Sequence, residues 1–359
     1  MSVSKSKLRA LNSSTSKMKK KIFKITKWLL LIALTVFIIK GCISTNLAVP
    51  HMKPRASTKY WNLPTGSKIA YTFIEGKGVK KTFPIIYLHG GPGGYVYTKN
   101  IEILSNLSEL GYDVYLYDQI GSGLSNRLEK VKEYTADRHR KDLEEIVKLL
   151  EAKKVILIGQ SWGGALAVLF AADNLDKVDQ LIFTCPGAIK PANDALEKIK
   201  PPDSLQLKEA YNPGLKATAI ALNPRYISIG VWARFFGKKL ASDKEADSYL
   251  TKLATVFTKG LVYDSSKALA EEGGAGCYSN LNTSVSYGKL IDPRIKLKNS
   301  KIPILVLKGQ YDNIAWGYTN EYLDIFSNNK LKIIPNAGHD IFVEQSEIYL
   351  NEIKNFLGN

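Results

Sequence analysis

The run Val155-Ile156-Leu157-Ile158 ends directly in Gly159-Gln160-Ser161-Trp162-Gly163-Gly164, and an apolar, helix-forming stretch follows at once. Consecutive apolar, mostly β-branched residues read as a strand buried on both faces, as in a parallel sheet covered by helices. Glycines on either side of one serine permit a turn too sharp for side chains. Strand, turn and helix in immediate succession restrict the chain to an α/β architecture. In that setting G-x-S-x-G lifts a serine hydroxyl clear of the sheet, where it can act as a nucleophile.

The rest of the chain agrees with this reading. Strand-like runs occupy residues 68–74, 83–88, 114–117, 155–158, 181–184, 304–307 and 331–334, with helical patterns at 101–110, 137–151, 164–174, 319–326 and 344–356. The alternation predicts a doubly wound, mostly parallel sheet. Between about 188 and 300 strand signals stop, and the segment is helix-rich and aromatic, as expected of a helical lid inserted into the sheet. The expected organisation is a basic flank plus apolar segment over 1–45 and a linker over 46–58. The α/β core then occupies 59–187 and 301–359, interrupted by the lid at 188–300.

With 359 residues and 45% hydrophobic content, the chain can bury a large core. Its net charge of +17 is concentrated at the start: residues 1–27 hold nine Lys/Arg and no acid, leaving +8 for everything after them. No run alternates basic and aromatic residues, so nucleic acid is not an expected partner.

Behind the basic flank lies a twelve-residue apolar stretch, 28–39, then Lys40-Gly41-Cys42. It has no polar face and fits a signal-peptide core or a short membrane anchor. The flanking positive charges keep that end in the cytoplasm, so the remainder is expected on the extracytoplasmic side. Gly41-Cys42 also resembles the end of a bacterial lipoprotein signal, from which Lys40 departs. The other cysteines, Cys185 and Cys277, show no metal-ligand spacing.

A nucleophilic serine needs a base. With a nucleophile on such a turn, acid and base follow it along the chain, which excludes His51, His89 and His139 and leaves His339 in Asn336-Ala337-Gly338-His339-Asp340. The orienting carboxylate is expected after the preceding strand. Asp312 stands there, whereas Asp292 precedes that strand and Asp340 is adjacent to the histidine itself. Asp312 would hold the His339 tautomer and stabilise the imidazolium. In His89-Gly90-Gly91-Pro92-Gly93-Gly94 the glycines let backbone N–H groups approach a developing oxyanion. The stretch lacks both the Lys-Ser/Thr ending of a P-loop and the G-x-G-x-x-G spacing of a dinucleotide site.

Together, HGGPGG at 89–94, Asp118-Gln119-Ile120-Gly121-Ser122-Gly123-Leu124-Ser125, GQSWGG and the Asp312 and His339 loops resemble the proline iminopeptidase branch of the α/β-hydrolase superfamily. The resemblance covers about 60–190 and 300–358. It implies a serine hydrolase without metal or cofactor that releases N-terminal residues, often proline, from short peptides. By position it implies Ser161 as nucleophile, His339 as base, Asp312 as its partner, and Gly91 with Trp162 as oxyanion donors. Family aminopeptidases bind the substrate's free amino group with lid carboxylates, for which Glu271 and Glu272 are the nearest candidates here. An esterase or lactonase of the same fold would keep the triad without the acidic pair. A non-catalytic tethered binding protein would need a broken triad, and epoxide hydrolases and dehalogenases place Asp where Ser161 stands.

Overall fold

Alternate residues of the central strands Ile85–Leu88 and Val155–Gln160 face opposite cores: Ile86, Leu88 and Leu157 enter one, Ile85, Tyr87, Ile156 and Ile158 the other. A strand can satisfy both only if helices cover both faces of its sheet. The computed structural model, which describes residues 5–212, 214–298 and 300–358, has that arrangement. Among the described residues the strands are β1 (Thr58–Asn62), β2 (Lys68–Ile74), β3 (Ile85–Leu88), β4 (Val114–Tyr117), β5 (Val155–Gln160), β6 (Val178–Thr184), β7 (Ile304–Gly309) and β8 (Asn329–Ile334). They form one eight-stranded sheet in the order β1-β2-β4-β3-β5-β6-β7-β8. β1 and β2 pair antiparallel at one edge, and β4, β3, β5, β6, β7 and β8 run parallel.

The helices, in chain order, are α1 (Lys5–Cys42), α2 (Thr98–Leu104), α3 (Ala136–Leu149), α4 (Trp162–Asp173), α5 (Gly214–Ala221), α6 (Pro224–Phe236), α7 (Asp243–Phe257), α8 (Cys277–Tyr287), α9 (Arg294–Leu297), α10 (Trp316–Ile325), α11 (Ile341–Glu344) and α12 (Ser346–Leu357). Leu143 and Ile146 of α3, the apolar body of α4 and Tyr322 of α10 fill one core. Ile103 and Leu104 of α2 and Tyr349, Ile353 and Phe356 of α12 fill the other. Helices α5 to α9 lie between β6 and β7, the interval where strand signals cease in the sequence.

Several boundaries differ from the sequence reading. β1 opens the expected core, at a place where the sequence reading marks no strand. Its residues Thr-Lys-Tyr-Trp-Asn are mostly exposed at the sheet edge, and pairing with β2 and the stacking of Trp61 on Tyr71, with centroids 3.6 Å apart, hold it. α1 continues well beyond the twelve apolar residues. Within it Met18–Cys42, 25 residues with none of the apolar window buried, is long and apolar enough to cross a membrane. Residues 1–4 of the basic flank lie outside the described residues.

The strand order reverses direction between β3 and β5, neighbours in space but separated in sequence by β4. In open α/β sheets the crevice beyond the carboxyl ends at such a reversal is where ligands bind. β3 runs into His89-Gly90-Gly91 and β5 into Ser161.

Candidate active site

Ser161 sits between the last residue of β5 and the first of α4 with φ 52° and ψ −117°. Positive φ is strained for a residue with a Cβ. The Ser161 N–H donates to Thr184 O at 3.0 Å, and its carbonyl accepts from Gly164 and Gly187 at 3.0 Å each, which fixes the turn. The flanking glycines are there for space. A Cβ on Gly159 would meet the backbone of Gly163, and one on Gly163 would collide with Leu88 O. The loop after β3 passes close by, since a Cβ on Gly90 would lie 3.2 Å from Ser161 Cβ.

That loop is braced by groups whose importance the sequence alone does not reveal. Gln119 Nε2 donates to His89 O at 2.9 Å, and Gln119 Oε1 accepts from Trp162 Nε1 at 2.8 Å. One side chain thus ties the glycine loop to the residue after Ser161. The Gln119 N–H donates to His89 Nε2 at 2.9 Å, so the His89 proton is on Nδ1, which donates to Gly90 O at 2.8 Å. Burial lowers His89 to about 4, and likewise His139 to about 3, so both stay neutral. Asp118 accepts from Val96 N and Leu124 N at 2.8 Å each, joining the two loops. Gly91 has φ 131°, and a Cβ there would press on the amides of Gly93 and Gly94. Trp162 is the first residue of α4, where a backbone N–H has no intrahelical acceptor.

Asp312 and His339 come together although 27 residues separate them. The loops after β7 and β8 are joined by Gln310 N to Ile334 O and Tyr311 N to Ala337 O, both 2.9 Å. His339 Nδ1 donates to Asp312 Oδ1 at 2.7 Å. The other carboxylate oxygen accepts from Lys308 Nζ at 2.7 Å, and that ammonium also donates to Ile314 O at 2.8 Å. Lys308 is 1% exposed. Burial alone would raise Asp312, but the Lys308 and His339 charges outweigh it and hold the carboxyl well below the usual range. Burial opposes the His339 imidazolium, and the Asp312 carboxylate overcomes that, so His339 is raised. Lys308 closes the strand run that reads Ile-Leu-Val-Leu, where a lysine looks like a solvated strand end. Its position four residues before the candidate acid gives nearness in sequence but no sign of burial.

The two candidate glutamates part company. Glu271 is buried, with its oxygens accepting from Tyr95 Oη at 2.9 Å and Tyr97 Oη at 2.8 Å. Burial raises its carboxyl. Its field reaches Asp340, which burial, the larger cause, raises to about 6. Glu272 instead pairs with Arg55 at 2.8 Å and accepts from Thr98 N at 2.9 Å. The segment carrying both is sewn to the glycine loop by Gly276 N to Gly93 O, 2.8 Å, and Asn280 Nδ2 to Pro92 O, 2.7 Å.

Among the described residues, Cys185, Asp312 and His339 present ligand-type atoms within 4.8 Å of one another. The donors do not suit a cation. Both Asp312 oxygens are engaged, and the Lys308 ammonium lies against one of them. Burial also pushes the Cys185 thiol up, away from the thiolate a metal requires.

The family model described as the alpha/beta hydrolase fold matches residues 84–346. The chain is 26% identical over 298 residues to a proline iminopeptidase of Saccharolobus solfataricus, covering 81% of this chain and 89% of that one. It is 28% identical over 301 residues to a proline iminopeptidase of Lactobacillus crispatus, covering 80% and 94%. An esterase from Exiguobacterium antarcticum, 16% identical, superposes with a TM-score of 0.59 over 84% of this chain and 99% of its own, which shows a shared fold. With an eight-stranded sheet of this order and a family match over most of its length, the chain belongs to the α/β-hydrolase fold family as a proline iminopeptidase-like hydrolase.

Proposed function

We propose that the chain is a serine hydrolase acting through Ser161, His339 and Asp312, and that it releases N-terminal proline or similar residues from short peptides. The observation that carries the mechanism is the buried His339–Asp312 hydrogen bond of 2.7 Å, formed by loops from the same sheet end as the strained Ser161 turn. With Nδ1 donating to Asp312, the His339 Nε2 is the free base. It takes the Ser161 proton as Oγ attacks the scissile carbonyl, and returns it to the leaving amine as the tetrahedral intermediate collapses. The N–H groups of Gly91 and Trp162 receive the oxyanion. Water repeats the sequence on the acyl-enzyme.

The helical insertion 188–300 acts as the lid over this site, and Glu271 faces the substrate's ammonium group. Glu272, held by Arg55, supports the lid rather than the substrate. One observation favours a second reading, an esterase or lactonase: both Glu271 oxygens already accept hydrogen bonds from tyrosine hydroxyls, which weakens their hold on a cation.

The α1 helix anchors the enzyme in a membrane, with its basic flank on the cytoplasmic side and residues 45–359 outside. Acylation at Cys42 would require loss of residues 1–41. That would remove Gly41, whose carbonyl accepts from Arg225 at 3.0 Å, so the uncleaved helix is the better fit.

Fluorophosphonate labelling tests the chemistry. The parent protein should label at Ser161, and Ser161→Ala should lose both label and turnover, the latter by ~10³-fold or more. Full labelling of Ser161→Ala would place the nucleophile elsewhere. Equal rates on free and N-acetylated prolyl amides would remove the aminopeptidase reading and leave the esterase.

A further inference from the structure

The end of α1 is not joined to the folded domain by a free linker. Gly41 packs so closely on α6 that a Cβ there would collide with Ser228 Oγ and lie 3.4 Å from Pro224 O. Arg225 donates to Gly41 O, and its guanidinium is fixed by Glu245 at 2.8 Å and 3.1 Å, a pair with both side chains under a tenth exposed. Glu245 in turn accepts from Ser44 Oγ at 2.7 Å and Thr45 N at 2.9 Å, and Thr45 Oγ1 bonds Tyr249 Oη. These joints, at Gly41 in the last turn of α1 and at Ser44 and Thr45 just beyond it, tie the end of the apolar helix to α6 and α7 of the insertion.

The face of α6 that meets α1 continues as an exposed apolar stripe. Pro224, Ser228, Val231 and Phe235 follow at helical spacing on one side. Val231 is 45% exposed, Trp232 38%, Phe235 72% and Phe236 56%. Basic residues flank the patch at Arg234 and Lys238, both exposed. Aromatic residues contiguous on a surface and bordered by Lys/Arg match the chemistry of a helix lying at a lipid headgroup boundary. The neighbouring α1 fixes where that boundary is, because Met18–Cys42 ends at the contact with α6.

We propose that α6 is an interfacial helix whose Val231–Trp232–Phe235–Phe236 face rests on the membrane that α1 crosses, so that the insertion faces the bilayer surface and peptides reach the site along it. The proposal rests on α1 being a membrane anchor and is independent of the serine chemistry. Its occupant is lipid rather than protein: the stripe is continuous with the unburied apolar helix itself, and its basic border suits anionic headgroups.

Tryptophan quenching tests it in the full-length protein. The chain is reconstituted into phosphatidylcholine–phosphatidylglycerol vesicles with and without 6,7-dibromo-phosphatidylcholine, as parent, Trp28→Phe and Trp232→Phe. Trp28 reports α1 and Trp232 reports α6. Both replacements should lower the fraction of emission that bromine quenches. A lower fraction for Trp28→Phe with no change for Trp232→Phe would overturn the α6 proposal and leave the anchor. No change for either would overturn both. Phe235→Glu with Phe236→Glu gives a second measurement at exposed positions: it should bring Trp232 out of reach of the bromines, and undiminished Trp232 quenching would count against the proposal.

Discussion

The Gln160 side-chain amide donates to Asp340 Oδ1 across 2.8 Å, joining the residue before Ser161 to the residue after His339, 180 positions along the chain. Gln160 Oε1 accepts from the buried Tyr87 hydroxyl at 2.7 Å, so one amide bridges strand β3, the serine turn and the histidine loop. Gln160→Leu would leave a buried carboxyl and a buried phenol each short of a partner. The expected result is a loss of about 1–3 kcal/mol of stability together with a lower kcat, because the two loops lose their tie. Urea unfolding and steady-state kinetics read both, and unchanged values would reduce the bridge to a bystander.

Asp340 gives a pH dependence with a definite sign. Burial raises its carboxyl to about 6 in the folded protein, above the ordinary carboxylate value. The native state then binds more protons than the unfolded chain between about pH 4 and 6, so stability falls as pH rises through that window. Asp340→Asn keeps an acceptor for Gln160 and removes the buried charge. It should be more stable than the parent at pH 7, by about 2 kcal/mol, and lose this advantage at pH 4. An advantage of equal size at both values would contradict the linkage.

What could be read from the sequence follows from how local each signal is. The Ser161 turn was legible because strand, glycines and helix are contiguous, and its φ of 52° is the strain those glycines anticipate. The pairing of His339 with Asp312 was reachable through chain order, since each follows an apolar strand. Lys308 was not, because a lysine at a strand end gives no sign that the next loop folds back over it until it is 1% exposed. Glu271 and Glu272 are neighbours with identical chemistry, and only Tyr95, Tyr97 and Arg55, 174 to 217 residues earlier, separate their fates. The docking of Gly41 on α6 is likewise long-range, so local periodicity carries no trace of it, whereas β1 pairs with its neighbour β2 but is mostly exposed and shows no apolar run.

If His339 is the base, Lys308 bears on it through Asp312. Its ammonium competes with His339 for the carboxylate, and its charge acts against the imidazolium. Lys308→Met keeps the volume and removes the charge, so Asp312 should bind the His339 proton more strongly. The acid limb of kcat/KM should move to higher pH, since the free imidazole needed for attack appears only above the raised value. Removing one partner of a buried ion pair should also cost about 3 kcal/mol of stability. A stability loss with an unmoved pH profile would make Lys308 a structural prop rather than a positioning residue.

The last prediction separates the two glutamates. If Glu271 receives the substrate's ammonium group, Glu271→Gln keeps one acceptor for the Tyr95 and Tyr97 hydroxyls, replaces the other by an amide donor, and removes the charge that a cation meets in a site screened from water. KM for a free-amino prolyl amide should rise by about tenfold or more, the equivalent of one charge-assisted hydrogen bond, while hydrolysis of a small uncharged ester stays near the parent value. Glu272→Gln acts elsewhere, loosening Arg55 and the start of α2. It should lower stability by less than about 1 kcal/mol, as expected of a part-exposed pair, and leave KM for both substrates unchanged. An equal rise in KM from both variants would mean that the effect travels through the shape of the helical insertion. No rise from Glu271→Gln, with the ester and the amide responding alike, would mean that this carboxylate does not read the substrate's amino terminus.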